Sequence, residues 1–279
     1  MPREHAAPAL RAAYVLGYPI QHSLSPTLYN AAFAELRIAA HMTALAVEPA
    51  RLSETLTGLR GTRFLGASVT LPHKESTAAL CDELSSAART IGAVNCLEIE
   101  GKRLIGHNTD ADGFSDALAE AGVSLKGKRV ALLGAGGAAR AVAYGAREAR
   151  AIEVIARRSH DVRWAVTWPW NEETLLEVFA RADVVVDCTS TGLSAEGEEA
   201  FVELLPLAAL RRGSTVMSLV YHRQPLLLAR AAALGLATLD GLSMLLHQGA
   251  RSFKIWTQQE APVQIMLDAL LGALPGRSS

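Results

Sequence analysis

The chain has 279 residues, of which half are apolar and a fifth are charged. The 27 Lys and Arg side chains nearly balance the 28 Asp and Glu side chains, so the formal net charge is −1. A folded chain of this size buries about 73 % of its surface, so we expect stability without disulfides or metals. The apolar and charged fractions are those of a globular protein and exclude intrinsic disorder. No block of like charge and no apolar stretch of about 18 residues occurs, so we expect neither a nucleic-acid nor a membrane partner.

The cysteines and the amino terminus indicate the compartment. Cys81, Cys96 and Cys188 are odd in number and widely spaced, which is typical of a reducing environment and gives no metal-ligand spacing. The amino terminus carries Arg3 and Glu4 with no long apolar segment behind them, so a secretory signal is not expected. We therefore expect a cytoplasmic protein that holds no metal.

The first third of the chain alternates short apolar strands with helical patterns, which predicts an α/β layer structure. Ser25-Pro26 places a capping serine and a first-turn proline at a helix start. Glu100-Gly101-Lys102 separates two apolar runs and predicts a hairpin turn. Strands are predicted over residues 14–16, 44–47, 64–70, 93–99 and 103–105, and helices over residues 52–59 and after His73.

A second pattern begins near Asp110, where a helix is predicted to run to Ala121 before Gly122 ends it. Strands then alternate with helical segments, which predicts parallel strands joined by helical crossovers. The final segment contains two helical patterns and no strand. The strands are predicted at residues 129–133, 152–156, 183–188, 215–220 and 237–239, and the helices at residues 172–181, 242–256 and 262–271.

One crossover in this second pattern is short. Only 11 residues separate Ser159 from Asn171, and three of them are Trp164, Trp168 and Trp170. A crossover between parallel strands needs about a dozen residues or more. Either the crossover helix is missing or the tryptophans form an irregular strand.

The segment from Lys128 to Arg140 has the pattern of a dinucleotide-binding loop, because an apolar strand is followed directly by G-A-G-G-A-A-R and a helix. Gly134 allows the tight turn, Gly136 lets a diphosphate approach the backbone, and Ala139 packs helix against strand. Backbone N–H groups and the helix dipole would hold the diphosphate. The pattern predicts a Rossmann-type, doubly wound parallel sheet, and the alternative is a plain tight turn.

The end of the next strand indicates which dinucleotide is bound. NAD enzymes commonly place an acidic residue there to bind the ribose hydroxyls. This chain has Arg157, Arg158 and Ser159 after the strand at residues 152–156. Two guanidinium groups and a hydroxyl suit a 2′-phosphate, so NADP is favoured over NAD. Solvated surface arginines are the alternative.

Polar groups also cluster where strands meet helices in the first third. Ser23 and Ser25 place two hydroxyls on one short loop, which suits a carboxylate, although Ser25 also suits a helix cap. Ser68 and Thr70 share one face of a strand by its period of two. Lys74 follows at a helix start, where its charge opposes the helix dipole. This unfavourable position indicates a chemical role, although most lysines only solubilise the surface.

Eight motifs carry a resemblance to a known family. They are, in chain order, S-L-S-P, G-A-S-V-T-L-P-H-K, G-A-V-N, N-T-D, G-A-G-G-A-A-R, R-R-S, T-S-T-G and G-L-S-M-L-L-H-Q-G-A-R-S-F-K-I-W-T. From Tyr14 to about Leu271 the chain resembles the shikimate dehydrogenases. The resemblance implies a substrate-binding domain (residues 1–110), an NADP-binding Rossmann domain (residues 111–241) and a helical return onto the first domain (residues 242–279).

The resemblance also implies an activity and residue roles. The expected enzyme is a monomer or homodimer that reversibly reduces 3-dehydroshikimate with NADPH, in the chorismate pathway of aromatic amino acid biosynthesis. Lys74 and Asp110 match the family's catalytic pair. The implied substrate-binding residues are Ser23, Ser25, Ser68, Thr70, Asn95, Tyr221 and Gln248, and the implied cofactor-binding residues are Gly134, Gly136, Gly137, Ala138, Arg157, Arg158, Ser159, Thr189, Ser190, Gly192 and Met244.

The chemistry of ketone reduction agrees with the catalytic pair. Hydride delivery leaves an alkoxide that must gain a proton, and a lysine ammonium can donate it. A carboxylate beside Lys74 would keep that ammonium charged or poised. A helix cap is the alternative interpretation of Asp110, and Met244 taken alone is more typical of a core.

The chain departs from the family pattern at several motif positions. Ser68 stands where asparagine is usual, and its shorter hydroxyl offers fewer hydrogen bonds to a ring hydroxyl. Quinate and an amino analogue of shikimate are therefore open as substrates. A non-catalytic nucleotide-binding regulator is a third hypothesis, which the Lys74–Asp110 pair disfavours. The other departures are Tyr29 for His, Asp187-Cys188 for Asn-Ala, Ser218 for Asp, His222-Arg223 for Asn-Pro and Gln258 for Gly.

Overall fold

A computed structural model describes residues 9–61, 63–157, 162 and 165–274, and this part of the chain forms two compact units. The first unit contains the described residues up to Arg89, together with Val94–His107 and the described residues from Gly249 onward. The second unit contains Thr90–Ala93 and the described residues between Asn108 and Gln248. The carboxyl-terminal residues therefore belong to the same unit as the amino-terminal ones.

A mixed six-stranded sheet is the centre of the first unit. Its strands are β1 (Arg11–Gly17), β2 (Ala40–Ala46), β3 (Phe64–Val69), β4 (Glu83–Leu84), β5 (Cys96–Glu100) and β6 (Arg103–His107). The order is β2-β1-β3-β5-β6-β4. The β1 strand is parallel to both of its neighbours, whereas β5 is antiparallel to β3 and β6. The predicted hairpin is confirmed between β5 and β6, with Gly101 in its turn at a φ of +61°.

Helices follow most of the strands. They are α1 (Ser25–Glu35), α2 (Leu52–Gly58), α3 (Lys74–Leu80), α4 (Ser86–Ile91), α5 (Asp110–Glu120), α6 (Gly137–Gly145), α7 (Glu172–Arg181), α8 (Glu198–Glu203), α9 (Leu226–Ala233), α10 (Leu242–Thr257) and α11 (Val263–Ala273). The α11 helix packs along α1. Within the described ranges, none of the helices has both the length and the apolar character needed to cross a bilayer.

The start of α1 differs from the prediction that Ser25 caps the helix. Ser25 is the first helical residue, and Leu24 occupies the N-cap position without a side-chain cap bond. The hydroxyl oxygen of Ser23 lies 3.3 Å from the Ser25 nitrogen and accepts its N–H. The capping prediction was wrong because the helix begins one residue earlier than the proline pattern suggests.

A parallel six-stranded sheet is the centre of the second unit. Its strands are β7 (Arg129–Leu133), β8 (Ala151–Ala156), β9 (Val166–Pro169), β10 (Val184–Asp187), β11 (Thr215–Ser218) and β12 (Ala237–Leu239). The order is β12-β11-β10-β7-β8-β9, and every neighbouring pair is parallel. This is the doubly wound order of dinucleotide-binding domains, with the switch point between β7 and β10. The predicted α/β, Rossmann-type fold class is confirmed.

The core of the second unit lies on both faces of this sheet. Val130 and Leu132 of β7 pack on one face in a cluster that includes Phe114 of α5. Ala131 and Leu133 alternate with them and join a second cluster on the other face, which includes residues of α7 and α9. Burial on both faces explains why these strands are continuous apolar runs rather than alternating ones.

The tryptophan-rich segment contains an edge strand. Trp168 lies in β9, which pairs in parallel with β8, so the strand alternative is correct there. The Arg181 guanidinium lies 5.5 Å from the centre of the Trp168 ring and 2.6 Å from a carboxylate oxygen of Glu153 in β8. These contacts hold the edge strand against its neighbour. Trp164 lies outside the described residues.

Candidate active site

Three predicted site residues of the first unit meet at the carboxyl end of β3. Ser68 lies in β3, Lys74 is the first residue of α3, and Asn95 directly precedes β5. The Val69 N–H donates to the Asn95 carbonyl at 2.7 Å, and the Val94 N–H donates to the Lys74 carbonyl at 2.8 Å. The segment before β5 is therefore hydrogen-bonded both to β3 and to the start of α3.

The loop that carries Ser23 and Ser25 follows β1, and Thr70 follows β3. Because β1 and β3 are parallel, both lie at the same edge of this sheet. The Thr70 N–H donates to the Leu16 carbonyl at 2.9 Å. A Cβ added at Gly17 would lie 2.5 Å from Thr70 Cγ2, so glycine is needed where Thr70 crosses the end of β1. Ser23 and Ser25 follow on the chain that leaves β1.

Ser68 has an unsatisfied hydroxyl. Its residue is 6 % exposed, and its Oγ atom has no hydrogen-bond partner among the described residues. A buried polar group left unpaired costs about 1–3 kcal/mol. A buried hydroxyl of this kind, close to the end of a strand, is available to a polar group of a ligand.

His73 holds the first turn of α3 and was not predicted as a site residue. Its side chain is buried, and its Nε2–H donates to the Val47 carbonyl at 2.6 Å. Its own backbone N–H donates to the Thr70 carbonyl at 2.9 Å. His73 directly precedes Lys74, and its two hydrogen bonds join the start of α3 to the residues that follow β2 and β3. In the sequence, His73 stands between Pro72 and Lys74 at a helix start, and this position is the feature that could have identified it.

The predicted glycine loop joins β7 to α6. Gly134 has a φ of +95°, a conformation that favours glycine. Gly136 is the N-cap of α6, and a Cβ added there meets no described atom within 4 Å, so its backbone faces open space. Gly137 and Ala138 begin the helix, whose first turn has no acidic residue, and Ala139 is fully buried. These features fit a diphosphate at the helix N-terminus.

The chain after β10 approaches this loop. A Cβ added at Gly134 would lie 3.4 Å from Thr189 Cγ2. Ser190 follows, and Gly192 lies in a short 3-10 turn over Thr191–Leu193. Thr189 and Gly192, both predicted to contact the cofactor, therefore lie at the carboxyl ends of the central strands, where doubly wound sheets bind ligands.

Asp187, at the end of β10, is a buried carboxyl group that was not predicted as a site residue. One of its oxygens accepts the Thr189 N–H at 2.9 Å. Burial raises the pKa of Asp187 to about 6, although the hydrogen bonds from Thr189 lower it; the Glu198 carboxylate adds to the rise. Asp187 thus shapes the turn into Thr189 and titrates above the ordinary range of a carboxyl group.

The other predicted cofactor residues have varied positions. Arg157 is exposed directly after β8, whereas Arg158 and Ser159 lie outside the described residues. Met244 is buried in the core cluster that contains Phe114. Its predicted contact with the cofactor, like the 2′-phosphate site, stays a prediction.

Asp110 lies in α5 and Gln248 lies in the part of α10 that belongs to the second unit, where these two helices pack together. Asp110 is the first residue of α5 and is buried; the N-cap position belongs to Thr109. The Asn108 side chain accepts the Ala111 N–H of the first turn, at 3.3 Å. The cap interpretation of Asp110 is therefore wrong. Gln248 lies in α10, and a Cβ added at Gly113 of α5 would lie 2.8 Å from its Cβ.

Tyr221 completes the predicted set. It is half-buried and lies between β11 and α9, in the second unit. The two catalytic candidates are divided between the units, because Lys74 belongs to the first and Asp110 to the second. Within the described ranges, no group of His, Cys, Asp or Glu side chains could hold a metal ion.

A doubly wound sheet with a glycine loop, together with a separate unit whose strand ends carry hydroxyls, an amide and a lysine, defines a dinucleotide-dependent oxidoreductase of small molecules. Two family models match the chain. The shikimate dehydrogenase substrate binding domain matches residues 15–97, and the shikimate 5′-dehydrogenase C-terminal domain matches residues 241–271.

Full-length relatives agree with these models. The shikimate dehydrogenase (NADP(+)) of Symbiobacterium thermophilum is 39% identical over 280 aligned positions, which cover 94% of this chain and 94% of that protein. The enzyme of the same name from Methanocella arvoryzae is 38% identical over 262 positions, which cover 90% of this chain and 95% of that protein. The chain belongs to the shikimate dehydrogenase family, as its motifs predicted.

Solved structures of the family have the same fold. Shikimate dehydrogenase from Aquifex aeolicus matches with a TM-score of 0.84 at 31% identity, over 94% of this chain and 97% of that one. The Thermus thermophilus enzyme in complex with NADP(H) and shikimate matches with a TM-score of 0.82 at 34% identity, over 95% of this chain and 100% of that one.

Proposed function

We propose that the protein reversibly reduces 3-dehydroshikimate to shikimate with NADPH, and that Lys74 and Asp110 are its acid–base pair. Family membership supports the reaction and the cofactor, since the relatives carry NADP(+) in their names. The role of Lys74 rests on the backbone hydrogen bonds of the segment before β5. This segment bonds both to Lys74 and to the end of β3, and so places Lys74 near Ser68 and Asn95. The Lys74–Asp110 pairing itself is an inference from the family motifs.

The first unit binds the substrate in this proposal. Ser23 and Ser25 hold the substrate carboxylate with their hydroxyls. Ser68, Thr70 and Asn95 bind ring hydroxyls from the adjoining strand ends. Tyr221 and Gln248 of the second unit complete the substrate contacts. Hydroxyl and amide groups suit this task because each both donates and accepts hydrogen bonds.

The second unit holds the cofactor, which supplies the hydride when bound. Backbone N–H groups of the loop from Gly134 to Ala138 hold the diphosphate, and no acidic side chain in the first turn of α6 opposes its charge. Arg157, Arg158 and Ser159 bind the 2′-phosphate. Thr189, Ser190, Gly192 and Met244 contact the nicotinamide half.

The protein's own chemistry is a proton transfer. Reduction of the ring ketone places negative charge on its oxygen, and the Lys74 ammonium donates a proton to that oxygen. The Asp110 carboxylate accepts a hydrogen bond from the substrate hydroxyl and orients it. In the reverse direction, neutral Lys74 accepts the proton of the shikimate hydroxyl.

Kinetics of a Lys74→Ala variant test this proposal. NADPH formation from shikimate and NADP is followed by absorbance, and kcat is expected to fall about 10²- to 10⁴-fold. Lys102→Ala is the matched control, because Lys102 is an exposed lysine in the hairpin turn. Near-normal turnover of the Lys74 variant would remove Lys74 from the mechanism.

The same assay tests the substrate. Quinate and an amino analogue of shikimate are offered alongside shikimate, each with NADP and with NAD. We expect the highest kcat/KM with shikimate and NADP. Strong turnover of quinate without turnover of shikimate contradicts the proposed substrate, and binding of NADP without turnover of any of them contradicts an enzymatic role.

A further inference from the structure

An ion pair between the half-buried Arg223 and the buried Glu198 joins the segments that follow β10 and β11. Arg223 Nη2 lies 2.6 Å from Glu198 Oε2, and Glu198 is only 4 % exposed. The other carboxylate oxygen of Glu198 accepts the Leu226 N–H, at the start of α9, at 2.8 Å. Both oxygens of Glu198 are thus engaged, one by a side chain and one by the backbone.

Two neighbouring side chains hold three successive carbonyls of the segment after β10. Arg223 Nη1 donates to the Gly192 carbonyl at 3.1 Å and approaches the Ser194 carbonyl at 3.5 Å. His222 Nε2–H donates to the Leu193 carbonyl at 3.0 Å. The 3-10 turn that contains Gly192 is therefore fixed by donors from the β11–α9 segment.

The same turn is held on its other sides. The Asp187 carboxylate accepts the Thr189 N–H, and a Cβ added at Gly192 would lie 3.1 Å from Val220 Cγ2. The backbone from Thr189 to Gly192 is thus anchored at both ends. Of these anchors, Arg223 bonds both the turn and the buried Glu198 carboxylate. Its loss would free the Gly192 and Ser194 carbonyls and leave His222 as the remaining side-chain donor to these three carbonyls.

The side-chain chemistry suits this task, because the guanidinium group of Arg223 has five N–H donors and can bond the Glu198 carboxylate and the neighbouring carbonyls at the same time.

We infer that Arg223, paired with Glu198, is a positioning residue that holds the Thr189–Gly192 turn in the geometry that binds the nicotinamide half of NADP. This inference rests on the proposed function, which assigns Thr189, Ser190 and Gly192 to the cofactor. Arg223 itself acts through the turn. Its removal weakens NADP binding and leaves the adenosine half of the site intact.

Ligand binding to an Arg223→Met variant tests the inference. Calorimetry measures the Kd of NADP and of adenosine 2′,5′-bisphosphate, which carries the 2′-phosphate but no nicotinamide. We expect about a tenfold rise in the Kd of NADP, the size of one lost hydrogen bond from a charged group, and an unchanged Kd for the bisphosphate. Arg230→Met is the control, because Arg230 is exposed on α9. Its two Kd values should match those of the unmodified protein.

A double variant separates positioning from folding. Arg223→Met alone leaves the buried Glu198 without its ion partner, which is destabilising, whereas Glu198→Gln with Arg223→Met removes both charges. The folded double variant should retain the rise in the Kd of NADP alone. An unchanged Kd for NADP, or an equal rise for both ligands, overturns the inference.

The binding measurement also separates this inference from the proposed function. If the unmodified protein binds NADP and fails to oxidise shikimate, the proposed reaction is wrong, and the effect of Arg223→Met on the two Kd values still decides the role of Arg223. If the unmodified protein is active and the variant binds NADP normally, the role of Arg223 alone is wrong.

Discussion

The indole ring of Trp256 occupies the space that a side chain at Gly66 would fill. Its Nε1–H donates to the Leu97 carbonyl of β5 at 2.9 Å, and a Cβ added at Gly66 of β3 would lie 2.3 Å from the same nitrogen. The ring also lies 4.8 Å, centroid to centroid, from that of Tyr29 in α1. The carboxyl-terminal half of α10 is therefore fixed to the sheet whose strand ends carry the proposed substrate-binding residues.

Replacing this glycine tests the packing. Gly66→Ala should lower the free energy of unfolding by about 1–3 kcal/mol, because the buried indole has no free space to move into. Urea denaturation measures the change. Gly272→Ala in α11 is the control, since no described atom lies within 4 Å of an added Cβ there. It should raise stability by up to about 1 kcal/mol, and equal losses in both variants would contradict the steric explanation.

The unpaired hydroxyl of Ser68 allows substrate binding to be separated from stability. Ser68→Ala should leave the free energy of unfolding unchanged or raise it, because a buried unsatisfied group is removed. If the hydroxyl binds a ring hydroxyl of the substrate, the KM for shikimate rises about tenfold. Steady-state kinetics and thermal unfolding on the same preparation measure the two effects.

Thr77→Val is the matched control for that variant. Thr77 Oγ1 of α3 is also buried without a hydrogen-bond partner among the described residues, but it is not a predicted substrate contact. Its replacement should change neither KM nor kcat. A KM for shikimate that is unchanged in Ser68→Ala would show that Ser68 does not contact the substrate.

Local patterns in the sequence were sufficient for the fold class, although they predicted neither β4 nor the helices α4, α8 and α9. The strand of residues 129–133 appears in the structure with the same bounds, because a buried parallel strand is a continuous apolar run that ends at a glycine. The glycine loop then predicted the doubly wound sheet, since such a loop is useful only at the carboxyl end of a strand that precedes a helix.

Contacts between distant segments were not predictable in this way. Arg223 and Glu198 are 25 positions apart in the sequence, and no periodicity relates residues across such a separation. The capping residues were ambiguous for a similar reason, because Ser23, Ser25, Asn108 and Asp110 all suit a helix start by composition. Which of them caps depends on backbone geometry that becomes definite only when the strands are in place.

The preference for NADP over NAD gives a prediction for Arg158, a residue that only the sequence assigns to the cofactor site. Arg158→Leu should weaken NADP binding much more than NAD binding, because only NADP carries the 2′-phosphate that a guanidinium group would bind. The ratio of kcat/KM for the two cofactors measures the effect. Arg150→Leu, an exposed arginine before β8, is the control. An equal loss for NADP and NAD would mean that Arg158 does not contact the 2′-phosphate.

The raised pKa of Asp187, about 6 in the folded protein, predicts how stability depends on pH. The pKa in the unfolded chain is about 3.9, so the folded protein binds more protons between about pH 4 and pH 6. Stability should therefore fall as pH rises through this window and stay lower above it.

The variant Asp187→Asn tests this pH dependence, because it keeps an oxygen for the Thr189 N–H and removes the charge. At pH 8 the variant should be more stable by up to about 3 kcal/mol, the equivalent of a two-unit shift, and at pH 4 the difference should vanish. Urea denaturation at pH 4 and pH 8 measures the difference in stability. Asp268→Asn is the control, because Asp268 is an exposed residue of α11. A gain of equal size at both pH values would show that the buried charge of Asp187 is not its cause.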